Sequence, residues 1–145
     1  MPSPLKLYQK YMATQTTEAS SLKLFQWTAF GKVKFDNKLF DHDVVVSEGN
    51  ARKRFYEIAQ AVYGDNHKVG VEELEASLAD KTQLFVLGTG QNDIARITPE
   101  GKSYLKQHKV KFVELPSTEA VKFYNEAVSA EGRKPRITAL IHVTC

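Results

Sequence analysis

Residues 84–93 read LFVLGTGQND, four apolar side chains (Leu84, Phe85, Val86, Leu87) running straight into Gly88-Thr89-Gly90-Gln91. A strand exposed on one face alternates apolar and polar positions, whereas an unbroken apolar run bounded by glycine marks a strand covered on both faces. Strands of that kind occupy the centre of α/β sheets. The glycines raise a second expectation. Gly88 and Gly90 permit positive φ and close approach of a ligand to the main chain, and successive amides in such a turn can form an anion nest.

The segments on either side support the same architecture. Val71–Asp80 places Val71, Leu74 and Leu78 on one helical face, with Glu72, Glu73 and Glu75 near the start, where the helix dipole favours carboxylates. Thr98 is an N-cap with Pro99 in the first turn, and that helix ends near His108. Val110–Leu115 alternates as a strand. Ser117 or Thr118 caps a helix whose apolar stripe is Ala120, Val121, Tyr124, Ala127 and Val128, stopped at Glu131-Gly132, and Arg136–Thr144 is the last strand. From Gly70 the order is helix, strand, helix, strand, helix, strand, which implies right-handed crossovers and a sheet with helices packed on it.

Upstream, Phe30, Val33, Phe35, Leu39 and Phe40 alternate imperfectly with lysines, and Asp36-Asn37-Lys38 supplies hairpin turn chemistry. Val44-Val45-Val46 reads as a third strand, completing a small antiparallel meander within Lys23–Ser47. ARKRFYEIAQAVYG (51–64) carries Phe55, Ile58, Ala59, Val62 and Tyr63 at helical spacing, with Gly64 to end the helix, and GDNHKVG (64–70) reads as a loop. The expected fold is α/β: a three-layer single domain over 23–145, with a central mixed sheet, helices packed on it and an N-terminal antiparallel β-meander. Residues 1–22 read as a flexible extension.

Length and composition fit one ordinary globular domain: 145 residues, 42% hydrophobic and 26% charged. The formal charge of +3 is small and dispersed, so no nucleic acid is expected as a partner. The single cysteine, Cys145, excludes a disulfide within these residues and favours a reducing compartment, with a cytoplasmic location expected. The alternative is mitochondrial, since Leu5, Tyr8 and Met12 share a helical face and no acid precedes Glu18, although the stretch has no arginine. No apolar run approaches the roughly 20 residues of a membrane helix.

Complete catalytic constellations are missing. The glycine pair lacks the third glycine of a dinucleotide fingerprint, its place being taken by Asp93, and no Gly-Lys-Ser/Thr follows. His142 and Cys145 lie three apart on a strand, which points them to opposite faces, and a strand histidine is more often a core residue with satisfied nitrogens. Asp93 and Arg96 read as a solvated ion pair. No metal-ligand spacing occurs among the four histidines, and the His42 cluster is explained by turn chemistry. Catalytic residues, metal and cofactor are therefore expected to be none. The candidate ligand-binding cleft comprises Gly88, Thr89, Gly90 and Gln91, with Tyr124 and Asn125 as polar contacts. The competing reading is a structural turn, with Tyr124 in the core.

LFVLGTGQ, the helix carrying Thr118, Tyr124 and Asn125, and the ending His142-Val143-Thr144-Cys145 together resemble a small domain family. That family includes the adipogenesis-associated protein and a mitochondrial complex I assembly factor, with archaeal and bacterial relatives of no assigned activity. The resemblance is specific from about Leu84 to Cys145. It extends to Phe30-Gly31 and His67-Lys68-Val69 and does not cover residues 1–22. It implies a three-layer arrangement around a mixed sheet and a non-enzymatic, assembly-factor-like interaction module with an unidentified protein partner; a homo-oligomer fits as well. The alternative is a small-molecule or anion-binding protein, or weak enzyme, using the cleft at Gly88–Gln91.

Overall fold

The valine triplet 44–46 shows how the core is divided. In the computed structural model, which describes residues 22–131 and 136–145, Val44, Val45 and Val46 are all buried, yet they face two different cores. Successive strand side chains point to opposite faces, so such a run is stable only where both faces are covered. Residues 1–21 of the expected extension, and Gly132 as a helix stop, lie outside the described residues.

The strands are β1 (Phe25–Ala29), β2 (Lys32–Phe35), β3 (Lys38–Phe40), β4 (Val44–Ser47), β5 (Asn50–Lys53), β6 (Lys68–Val69), β7 (Leu84–Thr89), β8 (Arg96–Ile97), β9 (Lys111–Leu115) and β10 (Ile137–His142). Among the described residues the helices are α1 (Tyr56–Tyr63), α2 (Val71–Ser77), α3 (Pro99–Gln107) and α4 (Ser117–Glu131). The main sheet has the order β5-β4-β10-β7-β9, with β10, β7 and β9 parallel and β4 and β5 antiparallel to their neighbours. The expected mixed sheet is thus present.

On one face Val44, Val46, Val86, Ala139 and Ile141 pack with Val121, Tyr124 and Val128 of α4 and with Phe25, Val33 and Phe35 of the β1-β2-β3 meander. On the other, Val45, Phe85, Leu87 and Leu140 meet Leu74 of α2 and Leu105 of α3. All six residues of β10 are buried. Each fully buried Leu or Ile contributes about 1.5–3 kcal/mol, which makes β10 the spine of the fold.

Local chemistry sets the boundaries. Asp36 and Asn37 both adopt positive φ (52° and 61°), the two-residue turn that matches strand twist and lets Phe35 face Lys38. Thr98 accepts from the Gly101 amide at 3.0 Å and caps α3, while Gly64 ends α1 in the left-handed region (φ 64°).

Three readings of the sequence are corrected. Val44–Ser47 leaves the meander and joins the main sheet antiparallel to β10, because both its faces are apolar. The helix expected from 51 begins only at Tyr56: residues 50–53 form β5, paired with β4. The loop 64–70 contains β6, which pairs in parallel with β8 as Lys68–Arg96 and Val69–Ile97. A two-residue strand is specified by its partner, so neither half is visible locally.

Candidate functional site

The chain leaves β7 toward α3 and leaves β9 toward α4, which lie on opposite faces. The connections therefore part at the carboxyl ends of neighbouring strands, the position where ligands bind in open α/β sheets. Gly88, Thr89, Gly90 and Gln91 stand there, and the strand runs through Thr89, so Gly88 belongs to the sheet and not to the loop.

Main-chain donors and acceptors along this segment bond with the protein itself. The Gly90 amide donates to Ser117 Oγ at 2.9 Å, and Ser117 Oγ donates onward to the His142 carbonyl at 2.5 Å. Amides of Gln91 and Asn92 donate to the carbonyls of Thr144 (2.7 Å) and Cys145 (3.1 Å). The Ser117 amide returns to the Gly90 carbonyl at 3.0 Å. Thr89 Oγ1 donates to Asp93 Oδ1 at 2.6 Å, and Gln91 Nε2 donates to Thr28 Oγ1 at 3.2 Å. From the meander, the Gly31 amide donates to the Val143 carbonyl at 2.7 Å. The carbonyls of Thr144 and Cys145 thus take the amides of Gln91 and Asn92, and the meander turn is tied to Val143 beside them.

The glycines are required by this closeness. A methyl at Gly88 would stand 2.8 Å from Ser117 Oγ and 3.0 Å from Ile141 Cδ1. One at Gly90 would run into the main chain of Cys145 and stand 2.8 Å from the His142 ring, and φ there is +100°.

Beneath lies a buried charge cluster that the sequence reading did not assemble. Arg54 Nε and Nη2 donate to Glu73 at 2.6 and 3.0 Å, and Arg54 Nη1 donates to Asp43 Oδ2 at 2.9 Å. His142 Nδ1 lies 2.7 Å from Asp43 Oδ2, and Asp43 Oδ1 accepts from the Val143 amide at 2.8 Å. Burial opposes the Arg54 charge, but Glu73 and Asp43 outweigh it and raise its pKa. Burial likewise opposes ionisation of Asp43; the His142 contact, the Val143 amide and Arg54 prevail and hold its carboxyl below the usual range. The Tyr56 hydroxyl, which accepts from the Asp43 amide at 2.6 Å, is pushed up to about 12 by burial and by the Asp43 charge.

His142 Nε2 meets Thr144 Oγ1 at 3.2 Å, so a hydroxyl, an imidazole and a carboxylate stand in series. That order resembles a nucleophile–base–orienter set. Here the orienting carboxylate is also neutralised by Arg54, and the amides around the hydroxyl already hold carbonyls of the chain. The arrangement fastens β4, β5, α2 and β10 together. Glu73, read as a helix-dipole carboxylate, is 1% exposed and faces inward. Periodicity carries no signal for this, because Glu73 stands about 100° round the helix from Leu74 and off the Val71–Leu74–Leu78 face. Both ring nitrogens of His142 have partners, as expected for a strand histidine in the core.

Tyr124 and Asn125 meet the meander. Tyr124 is fully buried edge-on against Phe25 and Phe35, with ring centroids 5.1 and 6.2 Å away. Its hydroxyl has no hydrogen-bond partner among the described residues, and burial pushes its pKa up to about 12. The Asn125 side chain accepts from the Phe25 amide (2.9 Å) and donates to the Phe25 carbonyl (2.7 Å), binding β1 as another strand would. Asp93 and Arg96 form a half-exposed ion pair at 3.0 Å. Among the described residues no group of three His, Cys, Asp or Glu side chains is placed to hold a metal ion. No helix among them is long and apolar enough to cross a membrane.

The outer face of the meander is different in character. Trp27 pairs with Lys34, and Lys34 pairs with Leu39, so the three share one face, opposite the buried Val33 and Phe35. Trp27 is 42%, Leu39 56% and Phe30, at the adjoining turn, 63% exposed.

Comparison with known proteins agrees with this architecture. PH1505 from Pyrococcus horikoshii OT3, solved by crystallography as a conserved hypothetical protein, superposes with a TM-score of 0.74 at 37% identity, over 83% of this chain and 98% of its own. MT938 matches with a TM-score of 0.70 at 31% identity, over 85% of this chain and 99% of its own. A Mth938-like domain from Bordetella pertussis, solved by NMR in solution, shares the fold at 14% identity with a TM-score of 0.56, over 84% of this chain and 86% of its own. The resemblance to a family with archaeal and bacterial relatives of no assigned activity holds. A family model matches residues 25–142, and the chain belongs to the family described as protein of unknown function (DUF498/DUF598).

Proposed function

We propose that this protein is an interaction module that takes an acidic, apolar segment of a partner protein on the outer face of the meander. The observation that carries this reading is the cross-strand row Trp27–Lys34–Leu39, in which two exposed apolar side chains flank a lysine. Large exposed apolar residues gathered on one face mark interaction surfaces, and tryptophan is the residue type most enriched at their energetic centres. Ala29 and Lys32 pair on the same outer face. Self-association through it would set lysine against lysine, whereas a partner bearing carboxylates among apolar residues complements it. The opposite face of the meander is fixed to α4 through Asn125 and the aromatic cluster, so the surface is presented rigidly.

A photo-crosslinking side chain at position 39 in the full chain, exposed to native extract, tests this. Crosslinking to a discrete acidic protein is expected, weakening with salt as exposed charge pairs do, with none from position 106 on α3. No adduct from position 39, or the same adducts from both positions, would contradict it.

The position of Gly88, Thr89, Gly90 and Gln91 at the parting of the β7 and β9 connections favours a second reading, a small-molecule or anion site. Such a ligand would take the amides of Gln91 and Asn92 from the half-buried residues 144 and 145. Thermal shift across a metabolite panel tests it, since a ligand at 100-fold over its Kd adds about 2.7 kcal/mol. An unchanged melting temperature throughout would rule it out.

A further inference from the structure

The main sheet ends at β5 on one side and at β9 on the other. β5 carries Arg52 and Lys53, the kind of side chain that blunts a sheet edge against further pairing. β9 has one lysine, at its first position, and then four half-buried residues, Phe112, Val113, Glu114 and Leu115. The Lys111 amide donates to the Gln83 carbonyl at 2.9 Å, so the main-chain groups of residues 111, 113 and 115 point toward β7. Those of Phe112 and Glu114 point away from the sheet, and among the described residues nothing bonds them. We infer that β9 pairs antiparallel with β9 of a second copy, about a two-fold axis between their Val113 residues, making one continuous sheet.

The ends of the strand limit the register. Upstream, the Val110 amide is committed to the Leu105 carbonyl at 2.8 Å, and downstream Pro116 has no amide to give. Antiparallel pairing sets outward-pointing residues opposite one another, so a two-fold register is centred on Phe112, Val113 or Glu114. Centring on Glu114 puts two carboxylates directly opposite, which is destabilising. Centring on Phe112 sets Glu114 against the committed Val110. Centring on Val113 sets Phe112 opposite Glu114 on both sides of the axis. Each such pair exchanges both amide–carbonyl bonds, and every outward donor and acceptor of the two residues is then satisfied.

The side chains agree with that register. The two Val113 residues form a non-hydrogen-bonded pair, where side chains approach most closely, and Lys111 lies opposite Leu115, its stem covering the apolar group. Val113 and Leu115 adjoin one core and Phe112 the other, so pairing covers half-exposed apolar surface on both faces of the sheet. Glu114 brings no uncompensated charge: Oε2 accepts from the Ile97 amide at 2.8 Å and Oε1 lies 3.4 Å from Lys102 Nζ. β9 is thus complementary to itself in one register, the property an isologous two-fold contact requires, and this selects a second copy as the occupant. Two outward residues per strand make a small contact, so the pair forms in the micromolar range and separates on dilution.

Single cysteines test the register. Cys145 enters the contacts described above through its main chain, so Cys145→Ser leaves one introduced thiol per chain. Facing Val113 positions bring their Cα atoms to about 4.5 Å, within reach of a disulfide. The two Lys111 positions stand four residues apart along the paired strands, about 14 Å, which no disulfide spans. With oxidised glutathione, Val113→Cys should form an interchain disulfide at least tenfold faster than Lys111→Cys, read as doubled mass on non-reducing gels. Sedimentation equilibrium of the unmodified full chain should show reversible approach to twice the chain mass in the high micromolar range. A chain that stays single throughout that range, or crosslinking from position 111 as fast as from position 113, would overturn the pairing.

Discussion

Asp43 and His142 are 99 residues apart in the chain, and their side chains meet at 2.7 Å in the core. Asp43 also holds Arg54, and Arg54 holds Glu73, so one chain of contacts connects β4, β5, α2 and β10. Breaking a buried ion pair from one side leaves a charge with neither water nor partner. Arg54→Met should therefore lower unfolding free energy by about 3–5 kcal/mol. Urea denaturation followed by circular dichroism reads this directly, and a loss below about 1 kcal/mol would show that the cluster is not what fastens these elements.

The same cluster sets an acid limit. The folded-state pKa of Asp43 lies below its ordinary value of 3.8. A carboxyl with a depressed folded pKa contributes stability above its unfolded pKa and loses it as pH falls through the folded value. Melting temperature should thus change little on this account down to about pH 4 and fall below it. Asp43→Asn should flatten that part of the profile while lowering stability at neutral pH.

Gly90 and Gly31 separate packing from backbone freedom. Both have positive φ, but a methyl at Gly31 meets nothing within 4 Å, whereas one at Gly90 meets Cys145 and His142. Gly31→Ala should cost about 1–2 kcal/mol, the penalty for a left-handed alanine. Gly90→Ala should cost clearly more, because either residues 144–145 or the His142 ring must move. Equal losses in paired melts would mean that residues 143–145 do not pack on the loop as described.

Tyr124 and Asn125 are neighbours with opposite expectations. The buried Tyr124 hydroxyl has no partner among the described residues, and such a group is destabilising by about 1–3 kcal/mol. Tyr124→Phe should be neutral or stabilising in thermal melts. Asn125→Ala strips the Phe25 amide and carbonyl of their partners and should cost about 1–3 kcal/mol, loosening the meander. Protease protection of the segment 25–40 would report that loosening.

The sequence was most readable where one local rule sufficed. Leu84–Leu87 announced a strand covered on both faces, Thr98-Pro99 a helix start, and Asp36-Asn37 a hairpin turn, and all three are found. Two features resisted because their cause lies elsewhere in the chain. β5 and the β6–β8 pair exist only through their partners. The Asp43–Arg54–Glu73–His142 cluster joins the residue before β4, the residue after β5, one residue of α2 and one of β10, and in sequence each is an ordinary charged or polar position. At the glycine segment, the residue types suggested both a turn and a nest. That Thr144 and Cys145 would take its amides depended on where β10 ends, which periodicity does not reveal. The Trp27–Lys34–Leu39 row follows from strand register and was hidden in an imperfect alternation.

That row is the centre of the functional proposal, and sedimentation of the labelled full chain in native extract tests it most directly. The parent should sediment as part of a larger, salt-sensitive complex, and Trp27→Ala combined with Leu39→Ala should sediment as the free chain with its melting temperature retained. A parent that sediments alone under every condition, or a double variant that remains in the complex, would contradict docking through the outer face of the meander.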